Sequence, residues 1–201
     1  SLGTESYGAP EHWARLEGGT AATAGSSRKQ ILLNELRLKE SSDNYSLAIL
    51  VFQLLAEGNH PCGRGKWHGT GEKPTQRVLM DHGHWCYGTN SPFRAGKRIP
   101  ESDFLPPKIL RMCDAASGAG AQDPPKRPTA RERAEALDDI TFARCGADKR
   151  HVYSAHRFVC PWCETEAKIS KKPLPAAARR TPENSLPRRS APKTRRTPVA
   201  V

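Results

Sequence analysis

Cys145 is followed after five residues by His151, and after eight more by Cys160-Pro161-Trp162-Cys163. Three thiols and an imidazole so close together can supply the four ligands of a tetrahedral zinc site. A C-x-x-C turn places two thiolates on one side of such an ion, and a second pair closes it. The C-x-x-C half has the usual spacing. Cys-x5-His is a less usual one for the other half, and His156 competes with His151 as the fourth ligand. Two other readings stay open: a redox dithiol at C-x-x-C, or reduced cysteines and surface histidines with no ion. A zinc here would be structural, because all four positions are protein ligands and none is left for a reacting water. Folding of residues 145–163 would then depend on the metal. His60, His68, His82 and His84 lie loosely around Cys62 and Cys86, where polar loop residues are the default and a second metal site the alternative.

The rest of the chain must position these groups. It has 201 residues, room for one ordinary domain and a tail, and begins with Ser, which fits a fragment or processed product. Hydrophobic content of 36% is below the usual globular range, so part of the chain is expected to stay unpacked. The net charge of +11 is concentrated at the end: from Ala167 onward ten Lys or Arg face Glu183 alone, leaving +2 for the first 166 residues. That tail, 167–201, alternates Pro with Arg/Lys and cannot bury enough to fold. It reads as a solvated basic Pro-rich segment, with weak nucleic-acid attraction, a Pro-rich partner ligand or phosphorylation as functional alternatives. The longest apolar run, Tyr45 to Ala56, is too short and interrupted to span a bilayer. Six scattered cysteines do not form a secreted disulfide pattern, which favours a cytoplasmic setting.

Residues 17–30 are small and Gly/Ser/Thr-rich, a flexible insertion, and 31–39 form a short helical stretch. Ser41, Ser42 and Asp43 offer N-cap chemistry before an apolar run, predicting a helix over 42–57. Leu47, Leu50, Val51, Leu54 and Leu55 fall at helical spacing, and Ile49 and Phe52 extend the apolar surface, so this helix should be buried nearly all round. Gly58 and Pro61 end it. Residues 62–107 read as irregular loops with a short helix near 73–82. Helices are expected at 108–116 and 129–140, the latter amphipathic through Ala134, Leu137 and Ile140, with a linker at 117–125 between them.

Three motifs in order carry a resemblance. Gly3-Thr4-Glu5-Ser6-Tyr7-Gly8-Ala9-Pro10-Glu11 resembles the end of a protein-kinase activation segment, G-T-x-x-Y-x-A-P-E. Residues 42–61, from Ser42-Asp43-Asn44-Tyr45-Ser46-Leu47 to Pro61, resemble the central helix of the kinase C-lobe. Asp123-Pro124-Pro125-Lys126-Arg127-Pro128-Thr129 with Glu132 resembles the D-P-x-x-R-P-T-x-x-E box that closes that lobe. Over residues 2–140 the chain thus resembles bacterial eukaryotic-like (Hanks-type) Ser/Thr protein kinases, and the Cys-His-C-P-W-C ending resembles a kinase-like subgroup that carries such a cluster after the lobe.

The resemblance implies a mainly α, protein-kinase-like C-lobe over 1–140, a small zinc-ribbon-like appendage over 141–166 and a disordered tail. It implies that Glu11 and Arg127 form a buried ion pair tying the activation segment to the lobe. Asp43 would cap the central helix, and Thr4 and Tyr7 would belong to the substrate-facing activation segment, Thr4 pointing to Ser/Thr specificity. In this family the Gly-rich loop, the β3 Lys, the catalytic loop and the metal-binding Asp all precede these motifs. ATP and Mg²⁺ would therefore act only in an intact parent, and this chain alone should be inactive. The alternative is a non-catalytic pseudokinase or zinc interaction module that binds a protein or nucleic acid. A third reading, a zinc protein of another fold, would show no central buried helix at 42–57. Two mimics carry nothing: Gly63-Arg64-Gly65-Lys66-Trp67-His68-Gly69 imitates a nucleotide loop out of place, and His156-Arg157-Phe158 lacks the catalytic Asp.

Overall fold

Among the residues that the computed structural model describes, 6–13 and 40–187, a helical turn at 10–13 and nine further helices and strands surround one connected core. Thr4, the 17–30 insertion, the 31–39 stretch and the tail beyond Pro187 lie outside the described residues. In chain order the elements are α1 (Glu40–Leu55), β1 (Gly65–Trp67), α2 (Gln76–Asp81), β2 (Phe93–Ala95), α3 (Pro107–Ser117), α4 (Ala130–Asp138), β3 (Phe142–Arg144), β4 (Val152–Ser154) and α5 (Pro161–Ser170). Single 3₁₀ turns at Ser102–Phe104, Ala119–Ala121, Pro124–Lys126, Ala176–Ala178 and Pro182–Asn184 link them. The fold is mainly helical, with two small antiparallel sheets, β1–β2 and β3–β4.

The central helix is present, but its face differs from the expected one. Tyr45, Ala48, Ile49 and Phe52 are buried, whereas Leu50 is 46% and Leu54 83% exposed. The apolar side chains do run round the helix, but the buried ones are Tyr45, Ala48, Ile49, Val51 and Phe52; the helix packs against α3, and Phe52 meets the aromatic cluster of Trp85, Tyr87 and Phe104. Asp43 does not cap this helix. Glu40 already belongs to α1, so Asp43 stands exposed in the first turn, where a carboxylate interacts favourably with the helix dipole. Beyond Leu55 the chain leaves the helix through two left-handed residues, Glu57 (φ 49°) and Gly58 (φ 81°), with the Gly58 N–H donating to the Gln53 carbonyl at 2.7 Å.

Residues 62–107 are expected to be irregular apart from a short helix near 73–82; that helix is α2, and the stretch also carries the β1–β2 ribbon in the register Lys66↔Arg94. Gly65 permits it: a Cβ there would lie 2.3 Å from the Arg94 carbonyl oxygen. Thr129 caps α4 in a reciprocal box with Glu132, worth about 1 kcal/mol. The buried face of α4 is Arg133, Ala136 and, just past it, Ile140; Ala134 is exposed. Arg133 lies there because its guanidinium donates to the carbonyls of Asn44 and Pro128.

Two further expectations change. The segment after 141 is no separate appendage: Trp162 stacks edge-on to Phe104 at 5.8 Å between centroids, and the buried apolar cluster runs unbroken from Ala9 to Ala178. Nor is the whole of 167–201 unstructured. Residues 175–186 form a strap over the segment leading into α5 and over β3, with Ala178 fully buried and backbone bonds Cys160 N–H to Ala178 O (2.9 Å), Arg180 N–H to Phe158 O (2.6 Å) and Leu186 N–H to Phe142 O (2.7 Å). Backbone pairing on these open edges supplies what the composition of this stretch could not reveal. No described helix is long and apolar enough to cross a membrane.

Candidate metal centre

The β3–β4 hairpin and the start of α5 bring four chemistry-bearing residues to one point. Cys145 directly follows β3 and His151 directly precedes β4. The Cys145 N–H donates to the His151 carbonyl at 3.0 Å, adding one more rung to the ladder. The intervening turn is held by His151 N–H to Asp148 O (3.1 Å) and by Asp148 Oδ1, which accepts from the Arg150 N–H at 2.9 Å. Cys160 is the N-cap of α5, and Pro161 fills the first helical position, where a missing N–H costs nothing. Cys163 follows in the same turn. A zinc ribbon would place this second pair on another hairpin; here Pro161 starts a helix instead, so the expected ribbon-like form is replaced by hairpin plus helix.

The ligand atoms of Cys145, His151, Cys160 and Cys163 all lie within 4.8 Å of one another, and all four residues are buried. Cys145 Sγ is 3.6 Å from Cys163 Sγ, while His151 Nδ1 is 3.7 Å from Cys160 Sγ and 3.5 Å from Cys163 Sγ. Tetrahedral bonds of zinc length hold two sulfurs about 3.8 Å apart and a sulfur and nitrogen about 3.6 Å apart. The donor set therefore fits an ion of that size as it stands. Among the described residues it is the one such group; the histidines near Cys62 and Cys86 form no second site. All six cysteines are free.

The electrostatics point the same way. Burial raises the Cys160 thiol despite the opposing N–H groups of Cys163 and Trp162 at the helix start. Burial raises the Cys163 thiol too, reinforced by its hydrogen bond and proximity to Cys145 and by Cys160. Three thiols at such distances can ionise together only if a cation compensates them, and binding then expels their protons.

His151 turns its other nitrogen, Nε2, toward acids, 3.8 Å from Asp148 Oδ2 and 3.9 Å from Glu166 Oε1. Carboxylates on that side favour the Nε2–H tautomer and leave Nδ1 its lone pair for a metal. Asp148 is itself clamped by the Arg150 guanidinium at 2.6 and 3.1 Å. Asp148→Asn is expected to weaken zinc binding about 10- to 100-fold. Competition against a chromophoric chelator measures it; unchanged affinity would remove Asp148 from this role. His156 is no member of the centre: Nδ1 is 2.8 Å from Ser154 Oγ and Nε2 is 2.9 Å from the Asp103 carbonyl.

Sequence reasoning missed Glu57. Its carboxyl is pushed up by burial first; His151 and Arg150 lower it, Glu166 and Asp148 raise it. Glu57 thus shares the electrostatic field of the residues around His151, a coupling with no local signal, since 94 residues separate the two.

A second assembly lies at the other end of α1. Arg127 Nη1 and Nη2 meet Glu11 Oε1 and Oε2 at 2.7 and 2.8 Å, a bidentate pair across 116 residues. The Arg127 side chain is wholly buried, yet all five of its N–H donors are occupied, the remaining three by the carbonyls of Gly120 (2.6 Å), Ser41 (2.9 Å) and Ala121 (3.2 Å). Tyr45 lies beneath the guanidinium at 4.9 Å. Gly120 is required: a Cβ there would sit 2.3 Å from the Ala115 carbonyl oxygen. Burial raises the Glu11 carboxyl, but hydrogen bonds from Arg127 and from Ser42 Oγ (2.7 Å) outweigh it and hold the pKa at about 2. Tyr7 is half-buried, its carbonyl accepting from Ser46 Oγ at 2.8 Å and its ring edge-on to His60.

With this geometry established, comparison with known proteins gives one name. The chain is 30% identical over 132 residues to Protein kinase YegI of Escherichia coli (strain K12), covering 62% of this chain and 20% of that protein. It is likewise 30% identical over 129 residues to Protein kinase YegI of Escherichia coli O157:H7, covering 60% and 19%. The chain spans about a fifth of the length of these curated relatives. No family model matches the chain. No solved structure matches it. In sequence, over three-fifths of its length, the chain is similar to a protein kinase.

Proposed function

We propose that these residues are the C-terminal lobe portion of a Ser/Thr protein kinase-like protein, and that the lobe ends in a structural zinc centre. In the intact parent the activity is transfer of the ATP γ-phosphoryl group to a protein hydroxyl. The carrying observation is the Glu11–Arg127 pair. It joins the segment that resembles A-P-E to the one that resembles the D-P-x-x-R-P-T box, as a kinase lobe requires, in a chain similar to a named protein kinase. Positioning and charge compensation by Lys, Mg²⁺ and Asp account for nearly all of that catalysis, and these groups would come from sequence preceding Ser1. The role of the present residues is scaffold: α1 supports the segment around Tyr7, and the zinc centre would hold the β3–β4 hairpin to the start of α5.

The test is a phosphoryl-transfer assay with labelled ATP, Mg²⁺ and a generic protein substrate, on the 201-residue chain and on its full parental reading frame. No transfer by the chain alone and transfer by the parent is expected. Transfer by the chain alone, or none by a folded parent that also fails to bind ATP, would overturn the reading in favour of another enzyme or of the pseudokinase module.

A further inference from the structure

The near-neutral charge of the first 166 residues conceals a strong polarity. Residues 62–100 carry seven Lys or Arg against Glu72 and Asp81, a net +5, so the remainder of that stretch is acidic. The cations converge on the β1–β2 ribbon. Lys66 stands opposite Arg94, and Arg64 directly precedes β1. Lys97 and Arg98 follow β2 directly, and all five side chains are exposed. Lys73 lies on the Phe93 side of the ribbon instead, its Nζ donating to the Gly63 carbonyl and lying 5.0 Å over the Phe93 ring. Like charges directly opposite across a ladder are destabilising. Among the described residues no carboxylate pairs with Arg64, Lys66, Arg94, Lys97 or Arg98. Such a concentration on a three-residue ribbon weakens the ribbon and calls for an external anion.

We propose that this ribbon is a docking site for an acidic, extended polypeptide segment of a partner protein, carrying carboxylate or phosphoryl groups at alternate positions. Alternate side chains of a strand are about 6.6–6.8 Å apart, so an extended acidic segment presents its charges on one face close enough together to meet Lys66, Arg94 and the flanking cations at once. β1 is an edge strand, with no described strand on its outer side, so such a segment can add backbone bonds to the ribbon as well as ion pairs. The opposite face holds Phe93, buried, and Trp67, half-buried. The cationic face therefore has no Phe, Tyr or Trp on which a base could stack, which disfavours single-stranded nucleic acid. The site does not depend on the phosphoryl-transfer reading.

The test uses the full 201-residue chain and a fluorescein-labelled (Glu-Thr)₆ peptide, with anisotropy read at low and moderate salt. Peptide binding that weakens with salt, falls at least tenfold in Lys66→Glu/Arg94→Glu and is unchanged in Arg188→Glu/Arg189→Glu is expected. Lys66→Glu alone places a carboxylate opposite Arg94, so it should raise the melting temperature while weakening binding. A lowered melting temperature would make these cations structural, or a guard against strand pairing between copies, and overturn the proposal. So would peptide binding that depends on Arg188 and Arg189 alone, no binding at low salt, or tighter binding of a thymidine 15-mer through the ribbon.

Discussion

Serine at both Cys160 and Cys163 will strip the chain of zinc and unfold at least residues 141–187. Wild-type protein purified without chelator should carry one zinc per chain by elemental analysis; the double variant should carry none. The magnitude follows from the coupling of metal binding to folding. A structural zinc with four protein ligands contributes an apparent 10–16 kcal/mol, roughly, at neutral pH, comparable with the whole stability of an ordinary domain at about 5–15 kcal/mol. The loss should not stay local, because Trp162 and Ala178 belong to the same buried cluster as Phe104 and Tyr45. Thermal melting followed by tryptophan fluorescence reports both regions, since Trp85 lies in the helical core and Trp162 in α5. Wild type that carries no metal when purified without chelator, and melts where the variant melts, would remove zinc from the account and leave the C-x-x-C as a buried dithiol.

Arg127→Met should cost about 3–5 kcal/mol, since it strands the partly buried Glu11 carboxylate and leaves three carbonyls without their donor. Urea unfolding of Arg127→Met, Glu11→Gln and the double variant would show it as strong non-additivity; additive effects would mean the pair contributes nothing as a pair. The same contact carries a pH signature. Glu11 has a folded pKa of about 2 against an ordinary value of 4.5, so its stabilisation is fully present above the latter and is lost as pH falls toward about 2. Protonation of the metal ligands also destabilises the chain in acid. The difference between wild type and Glu11→Gln isolates the Glu11 share, and it should shrink between pH 5 and pH 2. A constant difference would contradict the lowered pKa.

The helices were legible wherever local chemistry dominates. Thr129 with Glu132 marks the start of α4, and Gly58 with Pro61 the end of α1, because capping and backbone freedom act over a few residues. Which apolar side chains of α1 are covered was not legible: Leu54 and Ile49 have the same chemistry, and only the neighbours brought by α3 distinguish them. The choice between His151 and His156 was likewise beyond the spacing. It is decided by the hairpin, which puts His151 opposite Cys145 while His156 passes the strand end and meets Asp103. The ribbon at 65–67 and 93–95 escaped notice because three-residue strands give no periodicity, and its charge cluster vanished in a sum over 166 residues. Glu57 and the strap at 175–186 depend on contacts across the chain, which no local pattern encodes.

The strap has a consequence for timing. The Ala178 carbonyl accepts from the backbone N–H of Cys160, itself one of the four ligand residues, so residues 175–186 follow in the chain, and hold in place, a site whose ligands all precede them. If the strap must peel away before Cys160 can release an ion, the rate of metal loss to a chelator will report local opening of residues 175–186 rather than the strength of the metal bonds.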